Sequence, residues 1–218
     1  MLAGLLERRT CWRLSWRGRF LALALALAAA IGLVRSSYSF LAVNEPVPAD
    51  LLVVEGWSPT YSMEQVAREF ALGNYQRVLV VRAVLDSPND YESGRYGGDY
   101  LANLLIQHGV PKDRLTTLYP LVVKKDRTYH SALAVKEWLA AQNVTVKSLD
   151  VATLGPHARR SHLMYEKAFG GDVKIGIIAL NNIDYDPAHW WRTSEGVRDM
   201  LGEGIAYMYA RFLFHASL

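Results

Sequence analysis

Between Val151 and His162 the sequence reads VATLGPHARRSH, which sets one histidine and two arginines directly after Gly155-Pro156. Histidine exchanges protons near neutral pH, and arginine grips phosphate or carboxylate oxygens through paired N–H groups. Together they suit acid–base chemistry on an anion. Cations in the first turn of a helix oppose its dipole, so Arg159 and Arg160 are unfavourable there unless an anion joins them. Beside two permanent cations His157 is expected to stay neutral and act as a base, with Asp126 or Glu55 to orient it. Arg159, Arg160, Arg127 and Thr128 form the expected anion-binding set. The competing reading is a solvated arginine pair and a histidine that only caps its helix.

These residues need elements to hold them. Leu149–Leu154 is an apolar run that reads as a strand, and Met164, Tyr165 and Ala168 share one face of the helix after the Gly-Pro turn. The same unit recurs along the chain. Asp50–Glu55, Arg77–Val84, Leu115–Val123 and Val173–Leu180 read as further strands. Helices follow them, with Met63, Val66, Ala67, Phe70 and Ala71 on one face, then Leu101, Leu104 and Leu105, then Ala132, Val135 and Leu139. Asp126 or Thr128 is the expected N-cap of the third of these. A last helix carries Val197, Met200, Leu201, Gly204, Ile205 and Met208 in register. Such alternation predicts an α/β fold: a three-layer, doubly wound, mostly parallel five-stranded sheet of Rossmann-like type. Glu55, Asp86, Asp126, His157 and Asp184 would then follow different strands on one sheet edge.

Ahead of the domain the chain changes character. Five arginines stand in residues 1–19, and Phe20–Val34 is an unbroken run of fifteen apolar or glycine residues. Together with SSYSFLAV this predicts a basic N-terminus (1–19), a retained transmembrane anchor (20–43), a proline-marked linker (44–49) and an α/β domain (50–218). The arginines place the N-terminus in the cytoplasm and the domain outside.

Composition removes several function classes. The chain is +3 overall, but from Ser36 onward 18 basic residues face 20 acidic ones, so the domain lacks the charge of a nucleic-acid binder. The single cysteine, Cys11, precedes the apolar run, leaving the domain no thiol nucleophile and no disulfide. There is no Gly-x-Ser-x-Gly elbow, and GRYGGD lacks dinucleotide-binding spacing. Trp57 stands where a nucleotide cofactor's backbone would approach, so no cofactor is assigned. No ligand spacing among Glu55, Asp86 and Asp184 argues for a metal. Trp190-Trp191 reads as packing between helix and sheet.

The order of these motifs, with an N-terminal anchor, Thr in a polar corner and His-x-x-Arg after a strand, resembles the SanA/YdcF/ElyC-like family of bacterial envelope proteins. The likeness covers Asp50 to Phe214. It matches the family's histidine to His157, its arginine to Arg160, its threonine to Thr128 and the acid of its last helix to Glu203. Arg127-Thr128-Tyr129-His130-Ser131 departs from the family's Asn-Thr-x-Glu-Asn, and Glu55-Gly56 from its Leu-Gly. The resemblance implies work on envelope polysaccharide or peptidoglycan, and two readings follow. One is a hydrolase, transferase or binding domain for a phosphorylated or lipid-diphosphate-linked glycan. The other is a non-catalytic integrity factor that recruits envelope-biosynthesis membrane proteins through its anchor and C-terminal helix.

Overall fold

The structure is a computed structural model that describes residues 15–82, 98–120 and 125–216. Asp86, among the acids expected at strand ends, and Cys11 lie outside the described residues. The chain divides into two compact units, 1–36 and 37–218. The first is built on helix α1 (Trp16–Leu41), which is long and apolar enough to cross a membrane. Its 26 residues span about 39 Å at 1.5 Å per residue, more than a hydrocarbon core of about 30 Å.

The helix continues unbroken through Arg35, and its final turn belongs to the second unit. Leu41 is buried against Tyr185, Trp190 and Met200, with Tyr38 packed on the same cluster, and Val43 is buried in the sheet's core, so these residues have protein partners within the second unit. Residues 44–49 are likewise more than a tether. Glu45 and Ile177 exchange both backbone hydrogen bonds, at 2.8 and 3.1 Å, and the Val47 N–H donates to the Asp150 carboxylate at 2.9 Å.

In the second unit the strands are β1 (Leu51–Gly56), β2 (Arg77–Arg82), β3 (Leu115–Leu118), β4 (Ser148–Leu154) and β5 (Lys174–Leu180). They form one sheet, all parallel, in the order β3-β2-β1-β4-β5. Strand β3 is shorter than expected, stopping before Pro120, which has no N–H for a ladder. The helices are α2 (Met63–Leu72), α3 (Gly98–Gln107), α4 (Arg127–Ala141), α5 (Ala158–Phe169) and α6 (Ser194–Phe212).

Strand residues alternate between the two faces, and each face meets its own helices. Val53, Leu79, Val81, Val151 and Ile177 pack on Ala132, Val135, Tyr165 and Ala168 of α4 and α5. Leu52, Val54, Val80, Ala152 and Ile178 pack on Met63, Val66, Phe70 and Leu105 of α2 and α3. The doubly wound expectation is met, with the sheet wholly parallel. Trp190 is packed, as expected, in a cluster with Tyr185 and Met200.

The last helix departs from its expected register. Met200 and Ala210 are buried, whereas Leu201, Ile205 and Met208 are exposed. The inward face of α6 is instead the one that carries Asp199 and Glu203 toward the sheet edge.

Candidate functional site

Strand order reverses between β1 and β4, and in open α/β sheets the ligand crevice lies outside the carboxyl ends of such a pair. Here a cavity of about 570 Å³ occupies that place, lined by Glu55, Trp57, Asp126, Arg127, Thr128, Ser131, His157, Arg160, Asp199 and Glu203 among others. Its walls come from the end of β1, the first turn of α4, the β4–α5 corner and α6.

Parity fixes the first wall. Glu55 continues the face of Leu51 and Val53, so its carboxylate turns toward α5 and is only 2% exposed. A buried carboxylate needs donors. Its Oε2 accepts from Thr153 Oγ1 at 2.5 Å, Ser161 Oγ at 2.9 Å and Trp57 Nε1 at 3.3 Å. His157 Nε2 stands 3.6 Å from the same oxygen, and the Trp57 ring lies edge-on to the imidazole with centroids 4.4 Å apart. The Tyr165 hydroxyl, fully buried without a hydrogen-bond partner among the described residues, is pushed up by burial and then by the nearby Glu55 charge, so it stays protonated.

The second wall is the β4–α5 corner. Gly155 takes φ +42°, in the left-handed region, and lets Gly155–His157 form one tight turn that delivers the imidazole over the strand ends. His157 Nδ1 lies 2.8 Å from Glu203 Oε1 and 2.8 Å from Arg160 Nη2. We assign the proton to Nδ1, because Glu203 can only accept, while Arg160 has other acceptors. Nε2 then faces Glu55 and the cavity.

Arg160 is held at four points. Nε and Nη2 fork onto the two Glu203 oxygens at 2.8 and 3.0 Å, Nη1 donates to Thr128 Oγ1 at 3.0 Å, and Nη2 touches the imidazole. Burial alone would raise the Glu203 carboxyl, but the hydrogen bonds and charges of His157 and Arg160 outweigh it and hold the group at about 2. Asp199, one turn earlier, moves the other way. Burial raises it, against the hydrogen bond from Tyr185 at 2.5 Å, and the Glu203 charge adds to the rise. Neighbouring carboxyls with opposed proton affinities are a recurring basis for acid–base assignments.

Of the expected residues, Glu55, Asp126, Arg127, Thr128, His157 and Arg160 do meet around one cavity. Arg159 does not. Its Nε donates to the carbonyl of Phe40 and its guanidinium sits 4.0 Å over the Phe40 ring, because successive helical residues point about 100° apart. The expected pair of cations beside His157 is therefore one cation and two carboxylates. Of the two acids expected beside the imidazole, Glu55 faces Nε2 at 3.6 Å, Asp126 stays on the cavity wall, and Glu203 holds Nδ1. Asp126 sits at the N-cap of α4 with φ +51° and makes no capping bond, while Thr128 serves Arg160. Asp184 lines a neighbouring cavity of about 300 Å³ that shares Leu154, Asp199 and Glu203. Among the described residues no three of His, Cys, Asp and Glu are grouped to hold a metal ion.

Sequence reasoning on the residues alone missed Glu203, which entered only through the resemblance, and Asp199. Their signal is a pair of acids at i and i+4, on one face of the last helix. No protein-family model matches the sequence and no curated protein matches it, so what the chain does is argued from this geometry.

Proposed function

We propose that this chain is a membrane-anchored domain that binds, and acts by acid–base chemistry on, a phosphate-bearing glycan intermediate carried on a lipid diphosphate at a bacterial inner membrane. One observation carries the reading. His157, its Nδ1 held by Glu203 and its Nε2 3.6 Å from Glu55 Oε2, lines a cavity of about 570 Å³ at the switch point of the sheet. A histidine oriented by a carboxylate, with its far nitrogen toward a cavity, can take a proton from an attacking water or hydroxyl and return it to a leaving oxygen. That is the chemistry of a hydrolase or transferase.

The phosphate would sit between Arg160 and the first turn of α4. Arg160 has its charge matched by Glu203 and also donates to Thr128, so its main part is to fix Glu203 and the imidazole beside it. Arg127 and the backbone N–H groups of the α4 turn, to which Asp126 gives no side-chain cap, supply attraction for an anion. The cavity is within the range that encloses small ligands. The envelope setting is supported by the motif order shared with the SanA/YdcF/ElyC-like family, and by α1 with its arginine-rich approach, which under the positive-inside rule leaves the domain outside.

The test is a thermal-shift titration of the full chain in detergent against inorganic phosphate, a prenyl diphosphate and a sugar nucleotide. A ligand at a hundred times its Kd adds about 2.7 kcal/mol, which for a chain of this size raises the Tm by about 5–10 °C. The prenyl diphosphate is expected to give that rise in the wild type and to lose it in His157→Gln and Arg160→Ala. No rise with any of the three compounds, or equal rises in all proteins, overturns the reading.

A further inference from the structure

Helix α6 has two unlike faces. The inward face buries Met200 and Ala210 and presents Glu203 to the site. On the opposite face Leu201, Ile205, Met208 and Phe212 are 57, 72, 55 and 65% exposed. Their spacing of i, i+4, i+7 and i+11 makes one continuous stripe. Tyr209 and Leu213 widen it, and the exposed Arg198 and Arg211 flank it on either side. Beyond the first turn, the acids of this helix, Asp199 and Glu203, both lie on the inward face.

Contiguous apolar surface of this kind commonly marks contact with a partner or a membrane, and the occupant is indicated by what α6 holds. Phe40 packs edge-on against Tyr207 with ring centroids 5.7 Å apart, and Tyr38 and Leu41 join Met200 in one cluster. Phe40 is five residues after Arg35, the residue that closes the apolar run, which in a helix is about 8 Å. Five residues of chain, whatever their course, reach at most about 17 Å, so the contact of Phe40 with α6 lies within that length of chain from the end of the run. An apolar stripe edged by arginine and tyrosine, with acids kept to the other side, is the composition of a helix lying in a bilayer interface.

We propose that the outer face of α6 is seated in the headgroup region of the membrane that α1 crosses. This rests on α1 being a membrane span and deepens the functional reading. Glu203 then stands one helix diameter from the lipid surface, so the site takes its substrate directly from the bilayer.

The test uses the full chain in vesicles of equal parts phosphatidylcholine and phosphatidylglycerol, in a Cys11→Ser background. Ile205→Cys, Phe212→Cys and the control Leu72→Cys, whose native leucine is 84% exposed at the end of α2, each carry an environment-sensitive fluorophore. Labels at 205 and 212 are expected to shift to the blue and to be quenched severalfold more than the label at 72 by lipids bearing a nitroxide near the headgroup. Quenching equal to the control overturns the proposal. So does a blue shift that lipid nitroxides leave unquenched and that changes with the protein-to-lipid ratio, since a protein then covers the face. Release of the chain from the vesicles by alkaline carbonate removes the anchor and with it the proposal. Failure of the site reading shows separately, in the ligand titration.

Discussion

At the scale of single residues, the account turns on which groups surround His157. Adjacent arginines have different duties, so Arg159→Ala is expected to leave the ligand-induced rise in Tm unchanged, while Arg160→Ala abolishes it; thermal-shift titrations of both variants decide this. Replacing Glu203 by Gln keeps the shape but removes the charge that matches Arg160, and is expected to lower the unfolding free energy near neutral pH by about 2 kcal/mol in urea titrations. The pH dependence has a definite sign. Glu203 ionises at about 2 in the folded chain against an ordinary value of 4.5, so its stabilisation is complete above 4.5 and is lost as pH falls toward 2. The stability gap between wild type and Glu203→Gln should therefore close across that interval, and a gap that widens there contradicts the assignment. The sequence placed His157, Arg160, Thr128 and Glu55 near one another because each stands at the end of a strand or in the first turn of the helix that follows one, which alternation locates. It could not choose Arg160 over Arg159, since that depends on the rotational phase of α5, which Ala158, Ser161 and Tyr165 set by burying their own face. Nor could local pattern bring Glu203 to His157, because 46 residues separate them and only packing joins them.

At the scale of elements, the strands were legible because parallel strands covered on both faces are almost wholly apolar, and the helices of the sheet because their buried positions repeat. Helix α6 was not: an apolar stripe in sequence says that a face seeks a non-aqueous partner, and not that the partner is the domain's own core. Residues 44–49 read as a linker from their two prolines, and the contacts that fix them to the domain are tertiary, so no local pattern announces them. Those contacts make a sharp prediction. Asp150 accepts from Val47 N–H and, at 2.6 Å, from the Tyr75 hydroxyl, and a Cβ on Gly176 would come within 1.8 Å of the same carboxylate and 2.8 Å of Val47 N. Gly176→Ala should therefore displace the segment from β5 and cost about 3 kcal/mol or more, seen as a large fall in Tm with faster amide exchange at Val47 and Ile177. An unchanged Tm would mean that this edge is not held as described.

At the scale of the whole molecule, an apolar N-terminal helix precedes a domain of near-neutral charge whose polar residues concentrate at one end of its sheet. The central claim is that this end receives a phosphate-bearing ligand at His157. With six histidines in the chain, their ring nitrogens can be followed individually by NMR in a full-length sample labelled with ¹⁵N-histidine and embedded in lipid nanodiscs, with His157→Gln identifying the signal of interest. The account predicts that free His157 shows a proton on Nδ1, and that adding a prenyl diphosphate moves the His157 nitrogens while those of His108 and His215 stay in place. A His157 spectrum that does not respond to the ligand, or one with the proton on Nε2 alone, would contradict it.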